Sequence, residues 1–248
     1  MKTELLHEIT PLKQSDCFTF FYRVKNGFDF PLHHHEEMEL NFILNGKGVK
    51  RVVGNHIDSI NDLELVLLGS NLQHGWFNHE CENEEITEVT LQFHRDLLDE
   101  KFLHRNQMHN IKTMFENSRR GILFSEATIK AIKPRILALL KKNGFDSVLE
   151  LFSILNELSV SQNQRILSDI AFKKAETINY NSRRIEKIMD YLNTNFENDI
   201  SLSKAAKLVS MSDVAFSRFF KARTGKNFVD AINEIRLGNA SRMLLDTT

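Results

Sequence analysis

Between residues 16 and 94 short apolar and aromatic runs alternate with turn signals. DCFTFFYRV (16–24), ELNFILNG (39–46), KGVKRVVGN (47–55), LELVLLG (63–69) and ITEVTLQFH (86–94) are rich in β-branched and aromatic residues. Asn26-Gly27, Asn45-Gly46 and Gly54-Asn55 punctuate them. Evenly spaced short strands of this kind predict an all-β sandwich or barrel. From about residue 96 the period changes to that of a helix, over 97–116 and 126–142. In the second of these, Ile129, Ile132, Ile136, Leu139 and Leu140 form one stripe. Pro134 inside it predicts a kink or a boundary. RRGILFS (119–125) suggests an extra strand. Residues 145–160 form a third helix with Leu149, Phe152, Leu155 and Leu158 as expected buried positions. That stripe serves equally to cover the strands or to pair two copies.

Residues 161–182 are polar with little periodicity and are expected to link two domains. Beyond them the pattern is helical to the end. RRIEKIMDYLNTNFEND (183–199) places Ile185, Ile188, Met189, Leu192 and Phe196 on one face. SLSKAAKLVSMSDVAFSRFFKARTG (201–225) contains two short helices and a tight turn. Ser201 and Ser212 are suited to cap these helices, and Asp213 falls in a favourable first turn. Ala205 and Ala206 permit close helix approach. Thr224-Gly225 supplies a stop. Phe216, Phe219 and Phe220 then face a core, leaving Val214, Ser217, Arg218 and Lys221 outside. This is helix-turn-helix patterning. Arg218 suits a bidentate contact to guanine, Ser217 and Val214 a hydrogen bond and a thymine-methyl contact, and Lys221 and Arg223 phosphates.

Composition narrows the classes. At 248 residues, 42% hydrophobic and 26% charged, the chain can bury a sizeable core in one large or two ordinary domains. The formal charge of −1 gives no global nucleic-acid signature. Its distribution is uneven, however. Residues 181–248 hold 11 basic and 8 acidic side chains, a balance of +3, against 21 and 25 in the remainder. Cys17 and Cys81 are too few for a disulfide framework and belong to no CxxC. No apolar leader opens the chain, and no apolar run reaches the roughly 18–20 residues of a membrane span. A soluble cytoplasmic protein is the expectation.

ISLSKAAKLVSMSDVAFSRFFKARTGKNFVDAINEIRLGNASRMLL resembles the first helix-turn-helix and connecting helix of AraC-type (AraC/XylS) transcriptional regulators. The resemblance is carried by Ala206, Met211, Ser212, Phe216, Ser217, Arg218, Phe220, Lys221, Gly225, Phe228, Arg236, Ala240 and Leu244. It implies sequence-specific DNA binding with base-reading positions at Val214, Ser217 and Arg218. The family has a second helix-turn-helix where this sequence ends, at Thr248. With one unit only, weak DNA binding is expected, because half the contacts of each protomer are missing.

GFDFPLHHHEEMELNFILNG (27–46) is the other chemistry-bearing segment. On a strand His33 and His35 share a face and His34 takes the opposite one; Glu39 keeps the first parity, as do Asn41 and Ile43. His74 lies downstream in LLGSNLQHGWFN, with Trp76 and Phe77 as candidate pocket walls. Three histidines and a carboxylate suit Zn, Mn, Fe, Ni or Cu. Gly27, His33, His35, Glu39 and Gly46 resemble the first cupin motif without a gap. His74 and Asn78 match the end of the second, although Leu63 and Gly69 replace its glycine and proline. A cupin-like sensor ahead of an AraC-type module is the arrangement both resemblances imply. The four side chains then line an effector pocket with Asn41 and Trp76, or bind a divalent transition metal, or form a structural cluster.

The expected fold is α+β. An N-terminal cupin-like β-barrel (double-stranded β-helix) with packed helices occupies 1–160. A linker follows at 161–182, then a small all-α, truncated DNA-binding domain at 183–248. The expected function is a dimeric regulator that senses a small molecule, not an enzyme. The competing readings are a metal-dependent cupin oxygenase or isomerase, and a truncated dimerising modulator without strong DNA binding.

Overall fold

The computed structural model describes residues 6–169, and beyond them 184, 187–188, 191–192, 194–224, 227–233 and 235–236. The chain divides into two compact units. One is Gln14–Phe172; the other combines Met1–Lys13 with Lys173–Thr248.

The first unit is mixed α+β. Its strands are β2 (Phe18–Lys25), β3 (His33–His34), β4 (Met38–Leu44), β5 (Lys50–Val53), β6 (His56–Ser59), β7 (Leu63–Leu68), β8 (His74–Phe77), β9 (Ile86–Phe93), β10 (Ile122–Leu123) and β11 (Arg165–Ile166). β1 (Leu6–His7) belongs to the second unit. Within the first unit one sheet runs β3-β8-β5-β6 and the other β11-β10-β7-β4-β9-β2, every registered pair being antiparallel. They are two separate hydrogen-bonded ladders, not one closed barrel.

β4 shows why the sequence folds this way. It is flanked by β7 and β9, so both its edges are hydrogen-bonded. Met38, Leu40 and Phe42 join Leu65, Leu67, Val89, Leu91 and Phe93 in a core shared with the helices. Those helices are α1 (Glu100–Leu103), α2 (His109–Ser118), α3 (Glu126–Leu139) and α4 (Gly144–Ser159). The alternate residues Glu39, Asn41 and Ile43 turn to the other face. There Ile43, Val66 and Leu68 pack with Val49, Val53, Leu72 and Trp76.

Several expectations need revision. The helix expected over 97–116 is α1, a single 3₁₀ turn at Asn106–Met108, and α2. Pro134 ends nothing, since α3 runs through it. In α4 the buried stripe is Ser147, Leu151, Ile154, Leu155 and Leu158, whereas Leu149 is exposed and Phe152 half-buried. The expected stripe carried over only its last two residues, because periodicity finds a helix more readily than it finds which of two apolar sides meets a partner. β6 and β8 were missed as strands. At 161–182, the start of the expected linker forms β11, and residues 170–182 lie outside the described residues.

In the second unit Ile188, Leu192, Ile200, Ala205, Ala206, Val209, Phe216, Phe220, Phe228, Ala231 and Ile232 make one core, against which Ile9 packs. α5 (Leu202–Leu208) is capped by Ser201, whose hydroxyl accepts from the Lys204 amide. α6 (Asp213–Thr224) follows a short turn. The Ser212 hydroxyl accepts from the Ala215 amide at 3.3 Å. Both caps lie where the pattern of serines put them.

Candidate functional site

His33 on β3 stands directly opposite His74 on β8. His35 follows the end of β3, and its carbonyl accepts from the Asn71 amide at 2.7 Å. Glu39 comes from β4, in the other sheet. All four are buried. The ring centroids are 4.2 Å apart for His33–His74, 5.0 Å for His35–His74 and 6.0 Å for His33–His35. One ring nitrogen from each histidine lies within 4.8 Å of the other two.

The backbone sets the tautomers. Each Nδ1 approaches a carbonyl oxygen: His33 that of Pro31 at 2.9 Å, His35 that of Glu37 at 3.2 Å, His74 that of Leu72 at 2.8 Å. A carbonyl only accepts, so each Nδ1 carries the proton. Each Nε2 of a neutral ring is then a lone pair. Among the described residues the His74 Nε2 has no hydrogen-bond partner, and it lies 3.8 Å from Glu39 Oε1. His35 Nε2 lies 3.0 Å from Glu39 Oε2, a pairing that needs a proton or a cation between two acceptors. This donor set fits a transition-metal ion held through Nε2, with the Nδ1–H bonds fixing ring orientation.

Burial pushes the His33 imidazole down to about 4 and that of His74 well below its ordinary value, so both favour the neutral, ligating form. For Glu39 burial acts upward, but the bond from His35 and the nearby His74 and His33 rings outweigh it and hold its carboxyl well below the usual range.

A polar row continues along the same face. Gln92 Nε2 donates to Glu39 Oε2 at 3.0 Å. Asn41 Nδ2 lies 3.3 Å from both Glu39 Oε1 and Glu88 Oε1. Lys25 Nζ donates to Glu88 Oε2 at 2.7 Å. Glu88, Thr90 and Gln92 of β9 were not singled out in the sequence; their register opposite Ile43, Asn41 and Glu39 is the signal. Trp76 is buried, 6.0 Å from the His74 ring, and its indole donates to Glu64 at 2.8 Å. His34 is half-buried, and a hydrogen bond with Asn71 acts on its imidazole. The ends of the two cupin-like motifs meet: the Asn78 carboxamide accepts from the Phe28 amide at 2.8 Å. A Cβ on Gly27 would come 2.7 Å from Asn78 Nδ2.

On α6, Val214, Ser217, Arg218 and Lys221 are exposed while Phe216 and Phe220 are buried and Phe219 is half-buried. The Phe216 and Phe220 rings meet Phe228 at 5.3 and 5.4 Å. The Arg223 side chain lies outside the described residues. Among the described residues no helix is long and apolar enough to cross a membrane.

No protein-family model and no curated protein matches the chain. Among solved structures it is similar to ToxT from Vibrio cholerae. That match has 13% identity and a TM-score of 0.42 over 92% of this chain and 84% of that one. An apo lysine-to-alanine variant of ToxT matches with 14% identity and a TM-score of 0.49, over 89% of this chain and 98% of that one. Wild-type ToxT bound to an unsaturated fatty acid matches with 14% identity and a TM-score of 0.42, over 91% and 80%. Likeness at this distance transfers no activity or ligand to this chain.

Proposed function

We propose that the chain is a DNA-binding transcriptional regulator of AraC type, whose cupin-like first unit senses a small molecule. The exposed row Val214, Ser217, Arg218 and Lys221, set on a capped helix whose other side is a phenylalanine core, carries this reading. A helix so anchored can enter a major groove with Arg218 at base edges and Lys221, with Arg223, at phosphates. His33, His35, Glu39, Asn41, His74 and Trp76 form the sensing site. The exposed Phe145 and Leu149 on α4 support pairing of two copies, which would set two recognition helices on repeated half-sites. Selection of binding sites from random duplex DNA by the full chain tests the reading. One enriched motif, lost in Arg218→Ala, is expected. Recovery of no motif, with no salt-dependent binding, overturns it.

The inward-facing lone pair of His74 favours a second reading of the sensor, as a metal centre held by His33, His35, His74 and Glu39. A bound ion would supply Lewis acidity there, and the same four side chains would serve a metal-dependent enzyme. The absence of turnover by metal-loaded protein, together with DNA binding, separates the sensor from that enzyme.

A further inference from the structure

Arg51 is the most unusual buried side chain outside the histidine site. It lies on β5, is 1% exposed, and is among the largest fully buried side chains of the molecule. Its Nη1 is bonded to the buried Glu64, which also accepts from the Trp76 indole. Among the described residues its Nε and Nη2 have no hydrogen-bond partner. These two atoms are not a random remainder. They form the side-on edge of the guanidinium, with two coplanar N–H groups aimed in one direction. That edge matches the two oxygens of a carboxylate. Leaving a charged group's donors buried and unmatched is costly, so the edge calls for an acceptor.

The surroundings show where that acceptor belongs. Asp58 stands opposite Arg51 in the β5–β6 pairing. Its Oδ2 is 4.0 Å from Arg51 Nη2 and 3.6 Å from Arg165 Nη2 of β11. Both distances are too long for hydrogen bonds. Asp58 and Arg165 are each half exposed. The internal acid thus stands between two guanidinium groups, in the position a carboxylate would take, without closing on either. The apolar residues Val49, Val53 and Trp76 belong to the core beside it.

We propose that Arg51 and Arg165 form a binding site for a small organic carboxylate. The ligand displaces Asp58 and places its two oxygens on the Nε and Nη2 of Arg51, with Arg165 closing from the solvent side. Asp58 is an internal competitor for this site. The ligand's charge reaches the sole tryptophan through the Arg51–Glu64–Trp76 chain. The site is distinct from the histidine cluster and does not depend on a metal or on DNA binding.

The full chain reports on this directly, because Trp76 is its only tryptophan. Trp76 fluorescence is followed while sodium propionate is added at constant ionic strength, with chloride and inorganic phosphate as parallel probes. A saturable change with propionate alone is expected. Asp58→Asn removes the competing carboxylate and is expected to tighten binding about tenfold, and Arg165→Gln to weaken it several-fold. The paired variant Arg51→Gln with Glu64→Gln removes both buried charges together and is expected to abolish the response. Asp58→Asn alters only a half-exposed side chain, so its result stands whether or not the paired variant folds. An equal response to phosphate or chloride, or unchanged propionate affinity in Asp58→Asn, overturns the proposal.

Discussion

His74 and Glu39 face each other from different sheets at a distance too long for a direct hydrogen bond. The His74 Nε2 is 3.8 Å from Glu39 Oε1, while its Nδ1 is committed to the carbonyl of Leu72 at 2.8 Å. The ring therefore cannot turn to satisfy itself without giving up the backbone bond. Its lone pair is available only to something that arrives.

If that occupant is a metal ion, zinc or nickel raises the melting temperature of the wild-type chain. Ligand at a hundred times its dissociation constant stabilises by about 2.7 kcal/mol. His74→Ala, which removes one ligand of four, is expected to erase the shift. Differential scanning fluorimetry with and without the ion checks this. Equal shifts in both proteins would place the ion elsewhere.

Without metal, the first unit is expected to lose stability on acidification. His33 and His74 have folded-state values below their unfolded value near 6.5, so the unfolded chain binds protons first. Stability is complete above pH 6.5 and falls as the pH drops towards about 4. His33 alone contributes on the order of 3 kcal/mol. Glu39 acts in the same direction at lower pH, because its carboxyl is held down in the fold. Urea midpoints measured between pH 7 and 4 read the slope, which a chain carrying His33→Gln should show less steeply.

Arg218→Ala and Lys221→Ala should differ in kind. Loss of a bidentate base contact costs about 1–3 kcal/mol and relaxes preference at one base pair. Loss of a phosphate contact weakens all sequences alike and lowers the salt slope by about 1. Anisotropy titrations of matched and mismatched duplexes at several salt concentrations distinguish them. Identical behaviour of the two variants would remove the base-reading role of Arg218.

Phe216→Ala opens a cavity between the Phe220 and Phe228 rings and is expected to cost about 3–5 kcal/mol. DNA binding should vanish with the fold of the second unit. If the histidine site binds a metal ion, that affinity should survive, because the site lies in the other unit.

Phe145→Asp with Leu149→Asp places two charges on an exposed apolar strip of α4. Sedimentation velocity is expected to show a dimer becoming monomer, with unchanged circular dichroism. A wild-type monomer would assign that strip to another contact.

The strands with strong β-branched runs were legible because one face of β4 and β9 meets the apolar core while the other carries the polar row, so apolar and polar residues alternate. His33, Glu39, Asn41 and His74 were legible together because parity and spacing survive in a linear sequence. Glu64 and Arg51 were not. Each looks in sequence like a solvated charge on a strand, and only the β5–β8 pairing, with β7 facing it from the other sheet, puts them side by side with Trp76. The first segment's strand at His56–Ser59 was missed for the same reason: it has mostly polar, exposed residues and exists because β5 needs a partner. The grouping of Met1–Lys13 with the C-terminal helices was likewise hidden.

The four groups of the histidine site are drawn from both ladders: His33 and His74 from one, Glu39 from the other, with His35 at the junction after β3. An occupant held by all four is therefore a removable cross-link between the two sheets. It would work as a disulfide does, by restricting the open chain, but with a lifetime set by concentration in the surroundings. Sensing at such a site needs no large movement. If the site is a sensor, filling it would restrict how freely the two layers separate, and that stiffness could carry the signal.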